Sequence, residues 1–98
     1  MIAGNGRGHF NRRRLPSVAQ VLARLGLEPS KPNANGYAQV RCPVHGESRP
    51  SLSIHLARGN WRCFACGAGG GDALELYRQA RELSFVGAAR ELGAWEER

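Results

Sequence analysis

Apolar residues near the start of the chain recur with helical spacing. Four of them stand at i, i+3, i+4 and i+7, the spacing of one helix face: Val18, Val21, Leu22 and Leu25. Ser17 precedes this stripe as an N-cap, and Gln20 stands three residues after Ser17, the spacing of a capping box. Gly26 comes after the last apolar position, where a helix can end in a left-handed turn. The pattern predicts a helix from about Val18 to Leu25.

The middle of the chain changes to strand periodicity. Leu52 to Leu56 alternate apolar and polar residues, and Tyr37 to Arg41 are typical of a short strand. Arg58-Gly59-Asn60 supplies turn residues, after which Trp61 to Phe64 can return as the next strand. This segment predicts two or three antiparallel strands.

Two further amphipathic helices are predicted near the end of the chain. Asp72 is an N-cap with Glu75 at capping-box spacing, and Ser84 begins the next helix, which should stop at Gly93. Each helix has one apolar face that we expect in the core: Ala73, Leu76, Tyr77 and Ala80 in the first, and Phe85, Ala88, Ala89 and Leu92 in the second. Together the elements predict an α+β fold, a small antiparallel sheet of two to four strands with about three flanking helices.

The length of 98 residues corresponds to one domain, and a core of this size usually needs a metal, disulfides or a partner for stability. Residues 1–14 are rich in glycine, asparagine and arginine without an acidic residue, a composition that favours a disordered basic arm. The arm either contacts phosphates or is a solvated tail. The folded domain is expected over residues 15–98.

The formal net charge is +6, and Lys31 is the only lysine, so the positive charge is almost entirely arginine. The planar guanidinium grips phosphate with two hydrogen bonds and stacks on bases. This composition favours a nucleic-acid partner, although a soluble basic protein without such a partner is also compatible with it.

No apolar run approaches the ~20 residues that span a bilayer, and no secretory signal is visible at the N-terminus. The three cysteines cannot all pair within the chain. We therefore expect a cytoplasmic protein without membrane contact, whose cysteines serve a metal site and not disulfides.

Two short segments with the same design supply the candidate metal ligands. They are Cys42-Pro43-Val44-His45-Gly46 and Cys63-Phe64-Ala65-Cys66-Gly67. In each, two residues separate the ligands, and the following glycine can take a positive φ that turns backbone N–H groups toward the sulfur. The set Cys42, His45, Cys63 and Cys66 is typical of a closed, structural Zn²⁺ site. A redox pair of Cys63 and Cys66 would leave Cys42 and His45 unexplained, and an iron–sulfur cluster is disfavoured by the histidine.

The glycine-rich run from Gly67 to Gly71 is not a phosphate-binding P-loop, because no Lys-Ser/Thr pair follows it. We interpret it as a connector that allows close packing beside the metal.

The combined motifs resemble the N-terminal zinc-binding domain of bacterial DnaG-type DNA primases. The resemblance rests on four stretches: Arg41 to Gly46, Arg49 to Ile54, Trp61 to Gly67 and Gly70-Gly71-Asp72. It implies a zinc-ribbon fold, one structural Zn²⁺ per chain, and recognition of single-stranded template DNA for primer synthesis during replication. It also implies a bacterial, phage or mobile-element source and, as partners, a primase catalytic (TOPRIM) domain or a replicative helicase.

The chain departs from a complete primase of that type. The family's TOPRIM domain carries clustered carboxylates that bind magnesium, and no Asp-x-Asp pair occurs here. We expect no catalytic centre in this chain, which would be a stand-alone module or part of a larger primase with an accessory role.

Arginines and aromatic residues interleave around the predicted sheet, as expected of a single-strand binding surface. The candidate DNA contacts are Arg41, Arg49, His55, Arg58, Trp61 and Arg62. Phe64 is expected in the core, and for Trp61 core packing and base stacking both stay open. The alternative function is a zinc-ribbon interaction module that docks on a primase, helicase or polymerase subunit through its later helices.

Overall fold

A computed structural model describes residues 8–46 and 49–97 of the chain. Its elements in chain order are β1 (Gly8–Phe10), a short 3-10 helix (Arg12–Arg14), α1 (Val18–Arg24), β2 (Tyr37–Arg41), β3 (Pro50–His55), β4 (Trp61–Cys63), β5 (Gly69–Gly70), α2 (Ala73–Arg81), α3 (Phe85–Glu91) and β6 (Trp95–Glu97). The expected α+β architecture, an antiparallel sheet with three α-helices, is confirmed for this part of the chain. None of its helices is long and apolar enough to cross a bilayer.

The main sheet is antiparallel with strand order β2-β3-β4-β5. Alternation of residues gives it one buried and one outward face. The buried face carries Ala38, Val40, Leu52, Ile54, Trp61 and Cys63. The three strands predicted from the sequence are present within two residues of their expected ends. The outward face therefore displays every second residue of each strand.

Strand β5 was not predicted, because two glycines carry no alternation of side chains. It pairs with β4, with Gly70 opposite Trp61. A Cβ on Gly70 would lie 2.8 Å from Trp61 Nε1 and 2.7 Å from Glu75 Cγ, closer than real Cβ atoms approach. Gly70 therefore serves close packing between β4 and α2, whereas a Cβ on Gly67 or Gly71 would meet open space.

All three helices begin at the residues predicted to cap them. Ser17 and Gln20 form the reciprocal capping box of α1. The Asp72 carboxylate accepts a hydrogen bond from the Glu75 N–H at 2.9 Å, and the Ser84 hydroxyl caps α3 in the same way. One assignment on these helices is wrong: Phe85 is 44% exposed, although its position in α3 was expected to face the core.

The core consists of two adjoining groups of buried side chains. The first lies against the sheet and contains Leu22, Leu27, Val40, Cys42, Leu52, Ile54, Trp61, Cys63 and Leu76. The second lies between the helices and contains Val21, Ala73, Leu74, Tyr77, Ala88 and Leu92. Helix α2 contributes to both groups, with Leu76 facing the sheet and Leu74 facing the other helices. It thereby couples the sheet to the helical half of the molecule.

The N-terminal segment departs from the disordered arm predicted over residues 1–14. Strand β1 pairs with β6 at the other end of the chain, and the Phe10 ring packs edge-on against Phe85 at 5.1 Å. Asn11 also donates to Glu96 at 2.6 Å. The prediction is therefore wrong for residues 8–14, while residues 1–7 lie outside the described residues. The sequence of β1 is too short and irregular to show this long-range pairing.

Candidate metal centre and basic sheet face

The two predicted ligand pairs converge at one end of the main sheet. The ligand atoms of Cys42, His45, Cys63 and Cys66 all lie within 4.8 Å of one another. Cys42 follows β2 directly and Cys63 ends β4, so the strands that flank β3 bring the two pairs together. The topology thus brings together ligands of the two pairs that lie 18 to 24 positions apart in sequence.

Each pair is built as a tight turn that directs backbone N–H groups at a sulfur. The N–H groups of Val44 and His45 hydrogen-bond to the Cys42 sulfur, and those of Ala65 and Cys66 to the Cys63 sulfur. The glycines that close the turns, Gly46 and Gly67, have φ values of 71° and 81°. Positive φ without a Cβ penalty is the property that the sequence pattern predicted.

The two buried sulfurs differ in their acid–base behaviour. Burial raises the pKa of the Cys42 thiol, and its neighbour Cys63 raises it further, against the effect of the N–H groups of His45 and Val44. Burial also raises the pKa of Cys63, but hydrogen bonds from the Cys66 N–H and the Ser51 hydroxyl outweigh it, so the net shift is downward. Ser51 lies 3.6 Å from the Cys63 sulfur and was not anticipated from the sequence. Of the two thiols, only Cys63 has a pKa below its ordinary value, so it ionises before Cys42.

This donor set fits a tetrahedral Zn²⁺ ion. Ligand atoms ~2.3 Å from a tetrahedral zinc lie about 3.8 Å from each other. Cys63 Sγ and His45 Nδ1 are 4.0 Å apart, and no pair in the set exceeds 4.8 Å, so small side-chain shifts would complete the geometry. When bound, the ion supplies positive charge that keeps all three sulfurs deprotonated. Four protein ligands leave no open position for a reacting water.

The candidate ligands belong partly to the core and partly to the surface. Cys42 and Cys63 are buried among the side chains that pack against the sheet, whereas His45 and Cys66 are exposed. A metal here would therefore link the core directly to two surface turns.

The arginines predicted to contact DNA are all exposed. Arg41 on β2 and Arg62 on β4 project from the outward face, and Arg49 and Arg58 lie in the segments that flank β3. Arg41 donates to the Gly26 carbonyl at 3.2 Å. Within residues 8–46 and 49–97, the guanidinium groups of Arg58 and Arg62 have no hydrogen-bond or ion-pair partner.

Two other candidates for DNA contact have structural roles. Trp61 is only 4% exposed, and its indole Nε1 donates to the Asp72 carbonyl at 3.0 Å, so it offers no free ring for stacking. His55 is half-buried, and its Nδ1 accepts the N–H groups of Ala57 and Arg58 at 3.2 and 3.0 Å. The structure therefore uses Trp61 to pack β4 against α2 and His55 to hold the turn after β3.

Phe64 was expected in the core, and this expectation is wrong, since the residue is 71% exposed. The sequence held a signal for this outcome. Because Trp61 and Cys63 face inward on β4, strand alternation directs Arg62 and Phe64 outward. A ligand at Cys63 must face inward, and its two sequence neighbours, Arg62 and Phe64, then lie on the exposed face.

Positive and negative charge are separated along the chain. Residues 31–71 contain Lys31 and four arginines but a single acid, Glu47. Residues 72–97 contain six acids, and several of these neutralise nearby arginines. Arginine–acid pairs among the described residues include Arg12–Asp72, Arg14–Glu96, Arg78–Glu75 and Arg90–Glu97. The segment that forms the main sheet is thus net positive, whereas residues 72–97, with three arginines and six acids, are net negative.

Comparison with known proteins gives one family and several relatives. The profile of the CHC2 zinc finger, the DnaG zinc ribbon, matches residues 17–97. A DNA primase of Lactococcus lactis is 41% identical over 51 residues, which make up 52% of this chain and 8% of the primase. A DNA primase of Geobacillus stearothermophilus is 42% identical over 53 residues (54% of this chain and 9% of the primase). A DNA primase of Aquifex aeolicus is 31% identical over 81 residues, or 83% of this chain and 15% of the primase. The matched regions span less than a sixth of these relatives' length.

Proposed function

The chain belongs to the CHC2 zinc finger family of DnaG zinc ribbons, and from this membership we propose that it binds single-stranded template DNA to support primer synthesis. One structural Zn²⁺ per chain is held by Cys42, His45, Cys63 and Cys66. The ion fixes the end of the main sheet, and the sheet presents the DNA-binding arginines.

The separation of charge carries this proposal. A single strand has a negatively charged backbone, and arginines on one face neutralise it while releasing counterions. Arg58 and Arg62 have no partner in the described part of the chain, so their guanidinium groups are available for phosphate. Arg41 on β2 and Arg62 on β4 lie on the outward face, and Arg49 directly precedes β3. Arg58 lines a separate pocket with residues of α1 and the start of α2, and most arginines of the other half lie beside acids.

The role we propose is accessory to catalysis. Polymerisation would come from a TOPRIM catalytic domain, in the same polypeptide or as a separate partner, and a replicative helicase is a further partner. Such a module acts in the cytoplasm, where the template and a reducing environment for the thiols are both found.

Salt-dependent binding tests the proposal. Labelled single-stranded DNA is titrated with the zinc-loaded protein at increasing salt, with fluorescence anisotropy as the readout. Each phosphate contact adds ~0.7 to the slope of log affinity against log salt, so Arg62→Ala should lower the slope by about that amount. Arg90→Ala is the matched control, because Arg90 is also exposed but pairs with Glu97 at 2.9 Å. Absence of salt-sensitive binding at low salt contradicts the proposal.

The alternative is docking on a primase, helicase or polymerase subunit through the helical half. The exposed Phe85 ring of α3, which packs against Phe10 of β1 outside the main sheet, favours this alternative. Charge reversal of Arg58 and Arg62 separates the two functions. Loss of DNA binding supports the first, whereas retained DNA binding with loss of a protein partner supports the second.

A further inference from the structure

A cavity of about 310 Å³ lies beside the outward face of β3 and β4. Six residues that line it are Tyr37, Ser53, Asn60, Trp61, Arg62 and Phe64. Pockets for small ligands have volumes of ~300–1,000 Å³, so this one is at the lower limit and suits a single flat ring system. It is separate from the four metal ligands, none of which lines it.

Phe64 gives the cavity an exposed aromatic wall. Its backbone N–H donates to the Ser51 carbonyl at 2.9 Å, which fixes where the side chain leaves the sheet. An exposed aromatic ring beside a cavity is costly to leave in water and is the usual platform for base stacking in single-strand binding proteins.

Asn60 contributes an unsatisfied polar atom. Its Nδ2 donates to the Tyr37 hydroxyl at 2.9 Å, while its Oδ1 is buried without a hydrogen-bond partner among the described residues. Buried acceptors are almost always paired, so this one calls for a donor. Because this oxygen is buried, an N–H group from a molecule in the cavity would reach it once the Asn60 amide turns toward the cavity.

Arg62 adds a cation at the same place. Its guanidinium is exposed and unpaired within the described residues, and it stands next to Ser53 across the β3–β4 ladder. A ligand that combines a flat ring, an N–H donor and an adjacent negative charge matches all three features.

We propose that the cavity takes one unstacked nucleobase of a single strand, an inference that rests on the proposed function. The base lies against Phe64, one of its N–H groups faces Asn60 Oδ1, and the neighbouring phosphate meets Arg62. Each DNA base carries at least one N–H donor, so this pocket accepts different bases and registers the presence of a base more than its identity.

The test compares two strands of equal length and charge, one with bases and one made of abasic residues. A stacked base adds roughly 5- to 150-fold in affinity. The base-bearing strand should therefore bind more tightly by that factor. Phe64→Leu removes the stacking ring, and Ser53→Met fills the cavity without changing charge. Both should reduce binding of the base-bearing strand and leave the abasic strand unaffected, with zinc content measured for each variant.

Phe85→Leu is the matched control, since it alters an exposed phenylalanine that lies outside the cavity. Equal binding of the two strands, or equal losses on both strands in the variants, overturns the pocket but leaves the arginine surface intact. If neither strand binds at low salt, the proposed function fails and the pocket fails with it.

Discussion

Replacing Cys66 by serine tests whether the fold depends on a bound metal or on core packing alone. Cys66 is exposed, and exposed substitutions usually change stability by no more than ~0.5 kcal/mol. As one of four zinc ligands it has a far larger effect. Structural zinc contributes an apparent ~10–16 kcal/mol in small domains, or about 2.5–4 kcal/mol for each ligand if shared equally.

The structure favours the loss of about 2.5–4 kcal/mol over the smaller effect of an ordinary exposed substitution. Among the residues that the structure describes, seven of the eighteen buried apolar residues are alanine or cysteine, so more than a third of the core positions carry small side chains. Two of those seven are the candidate ligands Cys42 and Cys63, whose buried sulfurs a bound metal would stabilise. A loss of 2.5–4 kcal/mol corresponds to a fall in melting temperature of about 10–30 °C for a domain of this size.

Thermal melting followed by circular dichroism, with the zinc content of each sample, measures the effect. Ala65→Ser is the matched control, because it places the same hydroxyl on the neighbouring exposed position of the same turn. Strong chelation should bring wild type and Cys66→Ser to the same unfolded baseline. A Cys66→Ser protein that melts within a few degrees of wild type, or a wild type whose melting survives verified zinc removal, would refute the reasoning.

Three further outcomes follow from packing, charge and backbone geometry, each measured by urea denaturation of the zinc-loaded protein. Leu76→Ala, at a fully buried position shared by α2 and the sheet, should cost about 2–5 kcal/mol; a cost below 1 kcal/mol would contradict the described core. Hydrogen bonds from Arg78 lower the pKa of Glu75 below its ordinary 4.5, so wild type should exceed Glu75→Gln by ~0.2–1 kcal/mol above that pH. This advantage should vanish as the pH falls through the lowered pKa, and a difference that is constant with pH would argue against the pair. Gly59→Ala should destabilise by at least ~1–2 kcal/mol, because φ is 88° and a Cβ would lie 2.9 Å from the Ala73 nitrogen. Gly71→Ala, with open space around it, should be nearly neutral, and equal effects at the two glycines would contradict this account.

Features encoded locally could be predicted from the sequence. The helix starts at Ser17, Asp72 and Ser84 depend on a side chain and an N–H group three residues away. The two metal turns likewise depend on five consecutive residues each. Such signals need no knowledge of the rest of the fold, and the positions they indicated agree with the structure.

Features that depend on distant partners could not be predicted. Strand β1 exists because β6 lies beside it, almost ninety residues later, and neither strand has a clear alternation of its own. The exposure of Phe64 follows from the inward orientation of Cys63, which is known only once the sheet and the metal site are placed together. By its sequence Asn60 is an ordinary turn residue, and only the fold places the Tyr37 hydroxyl beside it.

The pairing of β1 with β6 also determines how the protein should respond to a mechanical load. Gly8 and Glu97 are direct partners at the open end of this two-stranded sheet. A force that pulls them apart loads its hydrogen bonds one after another, so the sheet should unzip at low force. Strands β2 and β4 of the main sheet end in the turns at residues 42–45 and 63–66, which a bound metal would join. Extension should then pause while the segment between the two metal-linked turns is still folded. The β1–β6 sheet should yield first and the two turns last.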